Sequence, residues 1–142
     1  MSDQYVAFKL DSNEYAVEIL AVQEIIRWSN ITRVPRAPEY IKGVINLRGA
    51  IIPIVDSHLR FELAGQEVTD DTRIIVFRYD DTIIGLTVDL VTEVLSLPQQ
   101  SIEKHQSIHG AENQFISGIG KLEERLLIIL DLAKVLELGV QH

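Results

Sequence analysis

An internal repeat is the feature that most constrains how this chain can fold. Between residues 8 and 26 each position aligns, without a gap, with the position 69 residues later, and from residue 41 the spacing becomes 75. The clearest pairs are Phe8–Phe77 (77 − 8 = 69), Val22–Val91, Glu24–Glu93, Ile41–Ile116 (116 − 41 = 75), Gly43–Gly118 and Asp56–Asp131. Two alignable segments of about 65 residues indicate that one small structural unit has been duplicated.

The residue pattern inside each unit predicts short β-strands. From Gln4 to Leu10, successive side chains alternate between two faces, as they do in a strand. The other strands predicted in the first half are Glu14 to Ile19, Val22 to Trp28, Lys42 to Leu47 and Ala50 to Val55. Short strands with regularly spaced turns favour closed barrels over an open sheet, so each unit is predicted to be a small β-barrel.

Three local signals refine this prediction. Arg48 and Gly49 separate two strands and are predicted to form a hairpin turn, in which glycine supplies a positive φ. Pro53 has no N–H, so its strand is predicted to lie at a sheet edge or to be bulged at that residue. Asp56 and Asp131 each precede a short helical pattern and are predicted to be N-cap residues.

Composition argues against several classes of function. The 142 residues carry a formal net charge of −8 and no cysteine, which removes disulfides, thiol catalysis and thiolate metal sites. An acidic chain repels nucleic acid unless it has a basic patch, and the candidate cations Arg33, Arg36 and Lys42 are sparse, so no nucleic-acid partner is expected. No apolar run approaches the roughly 20 residues that a membrane span needs, so no insertion into a membrane is expected.

No set of side chains stands out as catalytic, so an enzyme is not expected. His58 follows Ser57, but adjacency in sequence does not create a catalytic triad. A zinc site can be drawn from His105, His109 and Glu112. These three residues fall where the repeat has six extra residues (75 − 69), and a solvated polar loop is the simpler interpretation. No cofactor or metal is expected, and a small metal-binding barrel stays open as an alternative.

Three motifs in order give the sequence a family resemblance. The motifs are EYAVEILAVQEI, PEYIKGVINLRGAIIPIVD and FISGIGKLEERLLIILDLAKVL. With them the chain resembles the CheW-like family over nearly its whole length. The resemblance implies an all-β fold of two packed SH3-like five-stranded barrels and a short C-terminal helix. Within one domain at residues 1–142, the first barrel is expected at about residues 14–66 and the second at about 72–130, and an exchange of terminal segments between them is left open.

The resemblance also implies a function. Members of this family are non-enzymatic adaptors that couple chemoreceptors to the chemotaxis histidine kinase. The expected partners are therefore the regulatory domain of that kinase and the cytoplasmic tip of a chemoreceptor, whose helical hairpin would enter a groove between the barrels. The protein is expected to be a cytoplasmic monomer when free and to be recruited to membrane-associated receptor arrays. An adaptor in another receptor–kinase pathway, such as twitching or development, is the alternative within the family.

Five residues are carried over from the family as partner-binding candidates. They are Arg48 in NLRG, Glu24 and Val22 in AVQEI, and Lys42 and Gly43 in IKGV. In the repeat Arg48 aligns with Glu123, so the second half is predicted to lack this cationic feature. Such an asymmetry is expected if Arg48 serves partners and not the fold.

Overall fold

The computed structural model describes residues 2–61, 63, 67–104 and 115–136. Within these ranges the chain forms strands β1 (Ser2–Leu10), β2 (Asn13–Glu18), β3 (Val22–Arg27), β4 (Ile41–Leu47), β5 (Ala50–Val55), β6 (Arg73–Tyr79), β7 (Thr82–Val88), β8 (Leu90–Pro98), β9 (Ile102–Lys104), β10 (Ile116–Leu122) and β11 (Arg125–Leu130). Two short α-helices, α1 (Ser57–Arg60) and α2 (Leu132–Val135), follow β5 and β11. In the part of the chain that the structure describes, none of the helices has the length and apolar character needed to cross a membrane.

The strands form two curled sheets. Sheet 1 has the order β8-β1-β2-β11-β10-β9, and sheet 2 has the order β3-β6-β7-β5-β4. The predicted class, an all-β fold of two packed SH3-like barrels with short helices, is confirmed. Sheet 2 has the expected five strands, whereas sheet 1 has six, because the three-residue strand β9 pairs with the outer side of β10.

Each sheet combines strands from both halves of the repeat. The hairpin β1–β2 of the first half lies in sheet 1 beside β8 and β11, and the hairpin β6–β7 of the second half lies in sheet 2 beside β3 and β5. Each sheet is joined by one parallel pair at equivalent repeat positions, Ala16 with Ile129 and Gly85 with Ile54. The repeat is therefore present in the structure as well as in the sequence. The barrel ranges of 14–66 and 72–130 stay a prediction, and strand pairing crosses between them.

A shared apolar core lies between the sheets, and each sheet also encloses its own cluster. Alternate residues of β1 explain this arrangement: Phe8 and Leu10 enter the shared core, whereas Tyr5 and Ala7 enter the cluster inside sheet 1. Sheet 2 encloses a third cluster built mainly from isoleucine and valine. A strand buried on both faces loses the polar half of the usual alternation, which accounts for the nearly continuous apolar character of β1.

The prediction that the strand of Pro53 lies at an edge or is bulged there is wrong. That strand, β5, lies inside sheet 2 between β7 and β4, and the bulge of this hairpin falls on β4 between Ile41 and Gly43. Pro53 is opposite Val44, whose N–H and C=O bond to Thr32 on the other side, at 2.8 and 2.9 Å. The missing N–H of Pro53 therefore removes no hydrogen bond between β4 and β5.

The predicted N-caps are confirmed. An Oδ1 atom of Asp56 accepts hydrogen bonds from the N–H groups of His58 and Leu59, at 3.0 and 3.2 Å. Asp131 accepts a longer bond of 3.4 Å from the N–H of Lys134. Both caps satisfy amides that the first turn of a helix leaves without a partner.

Candidate functional site

Arg48 lies at the tip of the β4–β5 hairpin. Its φ is 52° and that of Gly49 is 92°, so both central residues have the positive φ that a type I′ hairpin turn requires. The Oδ1 atom of Asn46 accepts a hydrogen bond of 2.9 Å from the N–H of Gly49 and closes the turn. The side chain of Arg48 is 68% exposed, and its guanidinium forms an ion pair with Glu24. A left-handed conformation is uncommon outside glycine, so the tip holds Arg48 in a conformation that few residues adopt.

The ion pair between Arg48 and Glu24 joins the two edges of sheet 2. Glu24 lies on β3 and Arg48 follows β4, and these strands occupy opposite ends of the strand order. The Glu24 side chain is only 26% exposed and stands at a bulge, where the register of β3 shifts after Val22. Val22 itself packs against the shared core. Glu24 is thus the anchored partner of the pair, and Arg48 is the partner that faces solvent.

Lys42 and Gly43 lie at the other end of β4. Five or six residues along a strand correspond to about 16–20 Å, so these two candidates are well separated from Arg48. The Nζ atom of Lys42 is 3.6 Å from Oδ2 of Asp56 and 5.7 Å from the centroid of the Trp28 ring. The structure therefore brings Arg48, Glu24 and Val22 to one region and places Lys42 and Gly43 in another.

Gly43 has a structural reason to be glycine. Its φ is 155°, and a Cβ atom built on it would lie 2.2 Å from the carbonyl oxygen of Thr32 and 2.6 Å from Cγ2 of Ile31. Both distances are far below any van der Waals contact, so the close pairing of the β3–β4 connection with β4 depends on the missing side chain. Its repeat counterpart Gly118 has the same role, because a Cβ there would lie 2.6 Å from the carbonyl oxygen of Glu103.

At the tip of the second hairpin the structure places Glu123, with a φ of 58°, so this tip has no cation, as the alignment with Arg48 predicts. An arginine follows on the next strand instead. Arg125, two residues after Glu123, places Nη1 at 2.5 Å from Oε2 of Glu93, which is the repeat counterpart of Glu24. Its Nη2 atom is also 2.7 Å from Oε2 of Glu14. Both sheets therefore carry an arginine–glutamate pair at related positions, and the asymmetry between the halves lies in how the cation is held.

Arg125 is held more tightly than Arg48. Its side chain is 36% exposed, against 68% for Arg48, and it bonds two carboxylates instead of one. Burial raises the pKa of Glu14, but hydrogen bonds from Arg125 and Thr92 outweigh burial, so the pKa is lowered overall. The hydrogen bonds to Glu14 and Glu93 raise the pKa of Arg125. This network stabilises sheet 1, whereas Arg48 keeps most of its surface accessible.

A groove of about 630 Å³ opens beside sheet 1 and the start of α2, and Tyr79 on β6 is the one described lining residue that comes from sheet 2. Its described lining is Asp3, Tyr5, Glu18, Leu20, Ala21, Tyr79, Gln99, Ile102, Ser117, Ile129, Leu130, Asp131, Leu132 and Ala133. Leu20 is 95% exposed and Tyr79 is 42% exposed, so both offer apolar surface at the groove. Sequence analysis missed these lining residues, because nothing in a single sequence indicates which apolar residues stay uncovered.

The metal alternative falls on residues that the structure does not describe. His105, His109 and Glu112 all lie outside the described ranges. A different group, Asp11, His58 and Asp89, offers ligand atoms within 4.8 Å of one another. The Nε2 atom of His58 is 2.9 and 3.0 Å from the two carboxylate oxygens of Asp89, and its Nδ1 atom is 3.8 Å from Asp11. Since different ring nitrogens face the two aspartates, the geometry is that of an imidazole bridging two carboxylates.

The fold and the site together define a class of protein. The described residues form a duplicated pair of SH3-like barrels that carries an exposed arginine and an open groove. The chain belongs to the CheW-like domain family, because the family model described as "CheW-like domain" matches residues 4–139.

Known proteins of similar sequence and structure agree with this assignment. The chain is 36% identical over 137 residues to a chemotaxis protein CheW of Klebsiella aerogenes, covering 96% of this chain and 82% of that protein. It is 37% identical over 136 residues to a chemotaxis protein CheW of Bacillus subtilis, covering 95% and 87%. The crystal structure of the scaffolding protein TtCheW from Thermoanaerobacter tengcongensis superposes with a TM-score of 0.90 at 34% identity, covering 98% of this chain and 95% of that one.

Proposed function

We propose that this chain is a chemotaxis adaptor that couples chemoreceptors to the chemotaxis histidine kinase without catalysing a reaction. Its partners in this proposal are the cytoplasmic tip of a chemoreceptor and the regulatory domain of the kinase. It acts in the cytoplasm and is recruited to membrane-associated receptor arrays. Family membership supports this function, as do the names of the similar proteins, two of which are chemotaxis proteins and one a scaffolding protein.

The observation that carries the proposal is the way Arg48 is presented. An arginine side chain that is 68% exposed stands at the tip of a rigid two-residue turn, and a less exposed glutamate holds one part of its guanidinium. A guanidinium has five N–H donors in a planar fork, so one carboxylate leaves donors for a second acceptor. Because the turn and Glu24 restrict its rotamers, Arg48 loses less conformational entropy when it binds a partner than a free arginine would.

The other candidates have distinct roles in this proposal. Glu24 positions Arg48, and Val22 anchors the start of β3 in the shared core, so that the bulge and Glu24 keep their place. Lys42, held by Asp56 and Trp28 at the far end of β4, offers a second contact about 20 Å away. Gly43 shapes the backbone beside Lys42 and contributes no side chain of its own.

The groove beside sheet 1 suits the helical hairpin of a receptor. Helices that dock in grooves bury an apolar face, and Leu20 and Tyr79 supply exposed apolar surface for it. Arg48 and the groove thus give the adaptor two separate surfaces for two partners.

A binding assay with both partners tests the proposal. Calorimetry or pull-down would measure the affinity of the protein for a purified receptor cytoplasmic fragment and for the isolated kinase regulatory domain. We expect Arg48→Ala to weaken one of the two complexes by about 10-fold or more, because interface arginines are among the common hot spots. Lys121→Ala, which removes an exposed cation on β10 away from both proposed contacts, is the matched control and should bind as the parent does.

Each outcome has a separate meaning. Failure of the parent protein to bind either chemotaxis partner would refute the adaptor function, and binding to the receptor and kinase of another pathway would favour the alternative within the family. Parent-like binding and kinase activation by Arg48→Ala would refute the role given to Arg48 alone.

A further inference from the structure

The groove beside sheet 1 has an acidic lining. Three of its described lining residues are carboxylates, Asp3, Glu18 and Asp131, and none of the described lining residues is lysine or arginine. The carboxylates stand beside the apolar surface of Leu20 and Tyr79. The groove therefore combines exposed apolar side chains with a group of carboxylates.

The pairing of β1 with β2 explains why two of the carboxylates act together. Glu18 is directly opposite Tyr5 in the antiparallel register, so these two side chains lie on the same face of sheet 1. Asp3 is two residues before Tyr5 on β1 and, because side chains alternate along a strand, shares that face. Both carboxylates thus flank one tyrosine at the mouth of the groove.

The pKa of the tyrosine between them responds to the same two carboxylates. Burial raises the pKa of the Tyr5 hydroxyl, and the charges of Glu18 and Asp3 raise it further. A tyrosine becomes negative when it loses its proton, so carboxylates that raise its pKa also repel other anions and attract cations. A docking helix would experience the same field.

We propose that this groove selects a helical partner whose docking face carries lysine or arginine beside aliphatic side chains. The inference rests on the proposed function, in which the occupant is the receptor hairpin, and specifies the chemistry of the segment that enters. The aliphatic side chains of the helix contact Leu20 and Tyr79, and its cation reaches toward Glu18 and Asp3. A helix with an acidic docking face is rejected, since it would bring like charges together.

The test compares charge variants of the groove. A receptor cytoplasmic fragment is titrated into the parent protein, into the double variant Asp3→Asn/Glu18→Gln, and into a control, Asp71→Asn/Glu124→Gln, which removes two exposed carboxylates outside the groove. Each titration is repeated at two salt concentrations, and circular dichroism verifies folding. We expect the groove variant to bind about 2- to 30-fold more weakly, from two partly screened ion pairs, and to lose part of its salt dependence.

The outcomes separate this inference from the proposed function. If the parent protein does not bind the fragment at all, the proposed adaptor function is refuted, and the inference that rests on it is refuted with it. If the parent binds and the folded groove variant keeps parent affinity and parent salt dependence, the acidic groove does not select the partner and the inference is overturned. A loss of equal size in the control variant would also overturn it, because net charge alone would then explain the effect.

Discussion

Replacing Gly43 with alanine tests whether this residue acts through the fold. The new Cβ would lie 2.2 Å from the carbonyl oxygen of Thr32, and a φ of 155° is unfavourable for any residue with a side chain. Gly49→Ala is the matched control, since its φ of 92° is also unfavourable but nothing lies within 4 Å of the new Cβ. The two variants share the backbone penalty and differ in the collision.

The expected free energies follow from that difference. Backbone strain at a positive φ costs about 1–2 kcal/mol, so Gly49→Ala should lower the free energy of unfolding by that amount. Forcing an extra carbon into packed surroundings adds about 1–3 kcal/mol, so Gly43→Ala should lower it by about 2–5 kcal/mol. The extra cost includes weakening of the two hydrogen bonds between Thr32 and Val44. A loss of this size is large against a total stability of about 5–15 kcal/mol.

Urea unfolding followed by tryptophan fluorescence measures both variants. Trp28 is the single tryptophan, and it packs in the cluster inside sheet 2, close to the substituted strand. Equal stabilities of the two variants would show that Thr32 does not approach Gly43 as described, and the steric reasoning would be wrong. Loss of partner binding by a destabilised Gly43 variant would then report the state of the fold and not a direct contact.

Two further predictions concern charge and exposed apolar surface. The folded-state pKa of Glu14 is lowered, so the stability that its ion pair adds is present at neutral pH and is lost as the pH falls through that value. Glu14→Gln should therefore reduce the free energy of unfolding by about 0.5–1 kcal/mol at pH 7 and have less effect at acid pH. Urea unfolding at several pH values measures this difference. A difference between variant and parent that does not change with pH would contradict the prediction. Leu20→Ser should leave stability within about 0.5 kcal/mol, because the side chain is 95% exposed. The same variant should weaken binding of a receptor fragment by about 10-fold or more if that side chain is buried on docking. An unchanged affinity in calorimetry would show that Leu20 does not belong to the docking surface.

Local features of this fold were predictable from the sequence. The hairpin at Arg48 and Gly49 and the caps at Asp56 and Asp131 depend on residues close in the chain, so turn and capping chemistry identified them. The repeat supplied the duplication, because residues at equivalent positions share a physical environment. Neither kind of signal depends on knowing which strands are neighbours.

Features that depend on strand order were missed. The interior position of the strand that contains Pro53 follows from its parallel pairing with β7, about 30 residues later in the chain. The pairing of Arg125 with Glu93 was missed because the alignment compared Arg48 with Glu123 alone. The side chain of an arginine two residues after the aligned position is long enough to reach the same glutamate. The His58–Asp89 contact spans 31 residues and leaves no local pattern.

The exchange of hairpins between the two halves has a consequence for how such a chain could arise. A fragment that contains one copy of the repeat would hold β1, β2 and β3 to β5, yet the structure pairs β1 and β2 with strands of the other copy. Such a fragment would bury its apolar strands most fully by trading hairpins with an identical molecule, as domain-swapped dimers do. Fusion of two exchanging copies would turn an assembly that depends on concentration into an intramolecular one. On this view the present chain is a tethered swapped dimer, and only after fusion could one copy keep the exposed arginine while the other paired its own with two glutamates.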